Sequence, residues 1–244
     1  MNELLVLPTA HYFGGKGSSG TYQKIISEIP PHELFISGCL GHCAITRKKI
    51  LAKRTIGIDP SPQVIRDWQS LDLGTARTVV YCDTFINRMK QLDIKEDPEE
   101  VFVYLDPPYP LDSRKSQRLV YPHEMTDEQH EELLEYIQGL PYMVAISTYP
   151  NTMYANALKD WRKIKFQSTT RKGTATELLY MNYPAPERLH DYRYYGNDYR
   201  ERELIKKRRR NIRKKILALP PIEQQMLFDF LKEEFQLSNK KKAS

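Results

Sequence analysis

Cysteine is scarce in this 244-residue sequence: only Cys39, Cys43 and Cys82 occur. So few thiols, and an odd number, fit a reducing compartment better than a disulfide framework. Long apolar runs are missing too. No stretch of eighteen apolar residues exists, and Met1 to His11 lacks the basic start and apolar core of a signal peptide. The expectation is a cytoplasmic protein with no membrane partner. Most of the chain also lacks any excess of charge. The formal net charge is +6, yet nine Lys or Arg stand against two Glu between Glu201 and Lys215, leaving about −1 for everything else. A local basic block is the footprint of a polyanion binder, although a charge run alone is more often a solvated face.

Two ligand signatures are absent as well. Cys39, His42, Cys43 and Cys82 do not have the spacing of a zinc knuckle, so no metal is expected and these residues are read as small groups lining a pocket. Gly14 to Ser19 lacks the spacing of a phosphate-binding loop and follows no strand.

What is present is an alternation of short apolar runs with amphipathic stretches, the α/β pattern of a mostly parallel sheet. Strands are expected at Leu34–Ile36, Thr55–Asp59, Val79–Asp83, Val101–Asp106, Tyr142–Ser147 and Glu177–Asn182. Helices are expected at Pro62–Leu71 and at Met125–Gln138, where Thr126 and Gln129 form a capping box. Three of the first four strands end in Asp59, Asp83 and Asp106. In an open α/β sheet ligands bind beyond the carboxyl ends of strands, so these carboxylates should gather along one crevice. After Pro186 the composition changes to an aromatic and charged connector, a basic helix, and an amphipathic helix from Ile222 to Phe235 that should cover something. The expected organisation is a catalytic domain at 1–186 and a basic helical extension at 187–244. Trp68 and Trp161 read as packing residues, and His123 and His130 as surface or satisfied loop residues.

The most specific feature is Asp106-Pro107-Pro108-Tyr109, following a strand of five apolar residues. An exocyclic amino nitrogen is a poor nucleophile because its lone pair is delocalised into the ring. An Asp carboxylate and a fixed backbone carbonyl can accept its two N–H bonds and leave the lone pair aimed at a methyl donor. Two prolines fix φ and carry no N–H, which makes the Pro107 carbonyl a rigid acceptor. Tyr109 offers a face on which an extruded base can stack.

On these residues the sequence resembles the Dam-like adenine-N6 DNA methyltransferases, most closely their short phage-type members. The likeness runs from Tyr12 to about Leu231. Tyr12-Phe13-Gly14-Gly15-Lys16 is similar to the family's aromatic-x-Gly-Gly-Lys motif, and Phe35 to Ala44 stands at its cofactor loop. Asp59 matches the acidic residue for the cofactor ribose, and Cys82-Asp83-Thr84-Phe85 the segment at the cofactor adenine. Tyr121–Thr126, Ser147–Pro150 and Thr176–Tyr183 look like its later motifs.

The resemblance implies a Rossmann-like S-adenosylmethionine-dependent methyltransferase fold acting on double-stranded DNA with the target adenine flipped out. The implied cofactor residues are Tyr12, Gly14, Gly15, Lys16, Ser37, Gly38, Cys39, Gly41, Asp59, Asp83, Thr84 and Phe85. The catalytic residues are Asp106, Pro107, Pro108 and Tyr109. Two departures stand out. The cofactor loop reads Ser37-Gly38-Cys39-Leu40-Gly41-His42-Cys43, without the family's carboxylate. Only a short segment separates Asp83 from Asp106, where larger members insert a recognition domain. Sequence reading therefore falls to the loop with Arg114, Lys115 and Arg118, and phosphate gripping to Lys206, Lys207, Arg208, Arg209, Arg210, Arg213, Lys214 and Lys215. The nearest alternatives are a cytosine-N4 or RNA adenine methyltransferase, or a non-catalytic DNA-binding protein on the same scaffold. Oligomeric state leaves no trace in the sequence.

Overall fold

The computed structural model describes residues 16–17, 20–71, 77–114, 123–170 and 173–235. It divides into two compact units, Met1–Tyr195 and Gly196–Ser244. The break thus falls after Tyr195 rather than after Pro186. Residues of the connector belong to the first unit because they are fastened to it: the His190 amide donates to Ile29 O, the Ile50 amide to Asp191 Oδ2, and Arg193 Nη2 to Lys48 O.

The first unit is one seven-stranded sheet in the order β3-β2-β1-β4-β5-β7-β6. Strands β1 (Leu34–Gly38), β2 (Arg54–Asp59), β3 (Arg77–Cys82), β4 (Val101–Leu105) and β5 (Met143–Thr148) are parallel, while β7 (Gly173–Met181) runs antiparallel between β5 and β6 (Arg162–Thr170). Every residue of β1 and β4 is buried, as a parallel strand covered on both faces requires. Two apolar layers result. Phe35, Phe102, Tyr104 and Trp68 lie in one, and Ile36, Val103, Leu133 and Tyr154 in the other. This is the doubly wound, Rossmann-like architecture, and it carries the sequence reading of a mostly parallel α/β sheet.

Among the described residues the sheet is accompanied by helices α1 (Thr21–Ile26), α2 (Ala44–Lys48), α3 (Pro62–Gln69), α4 (Phe85–Gln91), α5 (Asp127–Gln138) and α6 (Thr152–Ala157). Their starts are written in short polar side chains: Ser61, Thr84, Thr126 and Asn151 each accept a backbone N–H of the first turn. The Thr126–Gln129 capping box forms as expected. β6 was not foreseen; its alternation of Arg162, Lys163 and Lys165 with Ile164 and Phe166 suits an edge strand, where lysines discourage further pairing.

The second unit contains α7 (Tyr199–Leu217) and α8 (Pro221–Glu234), neither with a buried residue. The expected amphipathic helix forms, and within the chain Ile222, Met226, Phe228 and Phe230 are exposed.

Candidate active site

β1 is flanked by β2 on one side and β4 on the other, so the chain reverses its winding there and a crevice opens beyond the carboxyl ends. The loops following β1 to β4 line a cavity of about 410 Å³ in that position. Cys39 to Cys43 contribute from β1, Asp59 and Pro60 from β2, Thr84 to Asn87 from α4, and Asp106 to Pro108 from the turn after β4. His123 to Met125 and Gln129, Glu132 and Leu133 close the side formed by α5.

The loop after β1 is held from two directions. Asp59 accepts the Gly41 amide on Oδ2 at 2.8 Å and the Ser61 amide on Oδ1 at 2.9 Å. Trp68 Nε1 donates to Gly41 O at 2.7 Å. Gly41 sits at φ 41 and Cys39 at φ 55. A left-handed Cys is an uncommon conformation, of the kind that persists only where surroundings over-determine it. Burial pushes the Asp59 carboxyl up, against the two amides that hold it down. Burial also raises the Cys39 and Cys43 thiols, so both remain protonated apolar groups. His42 Nε2 lies 3.1 Å from Asp67 Oδ2; desolvation lowers its pKa while Asp67 opposes the shift.

The opposite end of the cavity holds a charged cluster. Lys16 Nζ is 3.0 Å from Asp106 Oδ1 and 2.9 Å from Glu177 Oε2, and it donates to the Tyr109 hydroxyl. Tyr109 in turn donates toward Asp106 Oδ1 and Glu177 Oε2. Ser147 Oγ donates to Asp106 Oδ1 at 2.9 Å. Three of these bonds, from Lys16, Tyr109 and Ser147, converge on Asp106 Oδ1; Oδ2 and the Pro107 carbonyl take none from the described residues. Burial raises the Asp106 pKa, Lys16 opposes the rise and the Glu177 carboxylate adds to it. Burial works against the charge on Lys16, but Asp106 and Glu177 outweigh it and hold the ammonium well above its ordinary value.

Several expected site residues lie elsewhere. Tyr12, Gly14, Gly15, Lys115 and Arg118 fall outside the described residues. Ser37 is buried within β1, and Gly38 is there for packing, since a Cβ on it would stand 2.5 Å from side-chain carbons of Leu105 and Phe85. Asp83 points its carboxylate at Arg88 and the Thr84 amide rather than into the cavity, although Thr84 and Phe85 do line it. Cys82 is exposed, with its thiol toward Pro60 O, and so is not a pocket-lining thiol.

Two functional readings change. Tyr109 is 5 % exposed, with Lys16 over its ring at 4.6 Å and the edge of Tyr149 at 4.4 Å, so it braces Asp106 instead of displaying an open face to a base. Arg114 is not extended toward a groove. Its Nε donates to Tyr109 O at 2.6 Å and its two terminal nitrogens grip Glu124 at 2.9 and 2.6 Å. His130, far from being a loop residue, is buried in α5 against the Tyr154 hydroxyl, and desolvation lowers its pKa to about 4. His123 is exposed and borders the cavity. The residue that sequence reading passed over is Glu177. It stands in a motif-like segment, but only the neighbouring Lys16 gives it a role.

These features suit S-adenosylmethionine. The cavity has the volume of a small-molecule site. Asp59 offers acceptors for ribose hydroxyls, Pro60, Phe85 and Leu133 offer apolar walls, and Asp106 stands at the far end. The fold is Rossmann-like, and the cavity lies where such a sheet binds its ligand. Residues 69–183 match the model of the D12 class N6 adenine-specific DNA methyltransferase family, and this match supports a Dam-like adenine methyltransferase.

No curated protein matches the sequence. Among solved structures, an rRNA methylase from Streptococcus thermophilus is 14% identical with a TM-score of 0.43, covering 66% of this chain and 92% of that one. Magnesium protoporphyrin IX methyltransferase from Synechocystis, with bound SAM, is 12% identical at a TM-score of 0.43, covering 67% and 78%. A dimethyladenosine transferase from Plasmodium falciparum is 13% identical at 0.39, covering 66% and 60%.

Proposed function

We propose that this protein methylates the exocyclic amino nitrogen of adenine in double-stranded DNA, with the target base turned out of the helix into the crevice. The observation that carries the reading is the placement of Asp106 and Pro107 on the wall of the same cavity that Asp59 and Gly41 line. Bound S-adenosylmethionine supplies an electrophilic methyl group on its sulfonium. The residues of this chain do the rest.

Asp106 Oδ1 is fixed by Lys16, Ser147 and Tyr109, which aims Oδ2 as an acceptor for one amino N–H. The Pro107 carbonyl accepts the other, held by a turn that proline makes rigid. With both protons engaged, the nitrogen lone pair is directed along the remaining axis. Transfer in a single displacement needs no nucleophile from the protein. Arg114, by clasping Tyr109 O and Glu124 together, keeps the turn in register with the α5 side of the cavity. The exposed lysines and arginines of α7 supply phosphate contacts, which position the duplex without reading it.

The test is transfer of labelled methyl from S-adenosylmethionine to a mixed pool of DNA duplexes and RNA, with digestion to nucleosides. N6-methyladenosine in its deoxy form is the expected product. N4-methylcytosine, or label only in RNA, would overturn the substrate assignment. Asp106→Ala should abolish transfer while isothermal titration still shows cofactor binding.

A further inference from the structure

We infer that the protein self-associates through its second unit, with α8 of one copy laid on α7 of another. Neither helix has a buried residue. An isolated helix of α8's length is marginal in water, because helices in proteins draw most of their stability from packing an apolar face. Within one chain the two helices scarcely touch. Yet α8 is apolar on more than one side: Ile222, Met226, Phe228, Phe230 and the adjoining Phe235 are each 54–76 % exposed. A helix that exposes large apolar side chains on more than one side is one that a partner covers.

The charges say which partner. α8 carries Glu223, Asp229, Glu233 and Glu234 against a single Lys232. α7 carries ten Lys and Arg against Glu201 and Glu203, and Ile212, Ile216 and Leu217 form a shallow apolar groove on it between Arg209 and Arg213. Every copy of the chain therefore offers an acidic apolar helix and a basic apolar groove. A pairing in which each α8 enters the other copy's groove is reciprocal, as a closed two-fold dimer demands. It buries the aromatic side chains while setting carboxylates beside guanidinium groups. The inference is independent of which nucleic acid or base the first unit modifies.

Light scattering of the full-length protein at tens of micromolar should give twice the 28.7 kDa chain mass. Charge reversal on one helix, Asp229→Lys with Glu233→Lys, should yield monomers, and so should Arg209→Glu with Arg213→Glu on the other. Circular dichroism confirms that each variant remains folded. Mixing the two reversed variants should restore the dimer, because each then carries the complement of the other. A monomeric wild type overturns the inference. So do dimers indifferent to both reversals, or folded monomeric variants whose mixture stays monomeric. Met226→Glu with Phe230→Glu provides a second route through the apolar contribution and should likewise abolish the dimer.

Discussion

On the proposed mechanism Asp106 has to remain ionised in a place that disfavours its charge. Its pKa is raised by burial and by the Glu177 carboxylate, with Lys16 pulling the other way. Transfer should accordingly fail on acidification at a pH above the ordinary range of an exposed Asp, because a protonated carboxyl no longer offers the acceptor. Glu177→Gln removes the like charge and one tie on Lys16. The expected outcome is a lower kcat together with an acid limb displaced to lower pH, read from the pH profile of kcat/KM. A drop in rate with the profile unmoved would assign Glu177 to folding alone. Asp106→Asn keeps the shape but loses the carboxylate, and should cost roughly 10²-fold or more in rate, the scale of removing one preorganised partner of a transition state.

At the scale of elements, the loop after β1 is where packing and chemistry meet. Gly38→Ala places a Cβ 2.5 Å from Leu105 Cδ2 and Phe85 Cδ2, forcing aside a ring that forms part of the cavity wall. Overpacking of this kind costs about 1–3 kcal/mol. Chemical denaturation should report that loss, and titration with S-adenosylmethionine should report weaker binding; a variant with unchanged affinity would separate the ring from the cofactor.

Much of this geometry could be read from the sequence because parallel strands announce themselves. Val101–Leu105 is continuously apolar, and Asp59 and Asp106 end their strands where the crevice opens. Other features could not be read. β6 alternates its charges as an edge strand does, without an apolar run to mark it. Arg114 looks like a groove reader until Glu124 is seen to hold both its nitrogens. Tyr109 looks like an open aromatic face until Lys16, Asp106 and Glu177 close round it. Such partners lie far apart along the chain, and no local pattern encodes them. α7, by contrast, is legible from its charge. Replacing Lys206, Lys207, Arg210 and Lys214 by Gln should lower affinity for all DNA sequences alike. It should also flatten the salt dependence by ~0.9 in log–log slope for each phosphate no longer neutralised. An unaltered slope in a fluorescence titration would give the basic surface some other task.

For the whole molecule, the connector that closes the first unit carries a buried ionisable cluster. Lys49 Nζ lies 3.3 Å from His32 Nε2, whose Nδ1 is 2.8 Å from Pro30 O, and His32 stacks on His190 at 3.9 Å beside Asp191. Nδ1–H donating to Pro30 leaves Nε2 as the acceptor for Lys49. Desolvation brings Lys49 from 10.5 to about 7, with Asp191 resisting. Between those values the unfolded chain binds the extra proton, so this site adds stability as pH rises through the window and withdraws it as pH falls toward 7. Burial, reinforced by Lys49, lowers His32 as well, which acts in the same sense at more acid pH. Lys49→Met should raise the melting temperature most at pH 7 and below, the gain shrinking toward pH 10. Parallel melting curves for the two proteins across that range would contradict the account.

The cluster at the turn after β4 joins residues from nearly the full length of the first unit: Lys16 ahead of the first strand, Asp106 from the middle, Glu177 from the last strand to be made. That strand slots between two others. As the polypeptide leaves the ribosome, the ammonium and its first counter-ion are therefore available well before the second. A nascent chain stopped short of β7 has a sheet with an open edge and an incomplete charge set, so the site is complete only when synthesis has passed Glu177 and the hairpin has been threaded home.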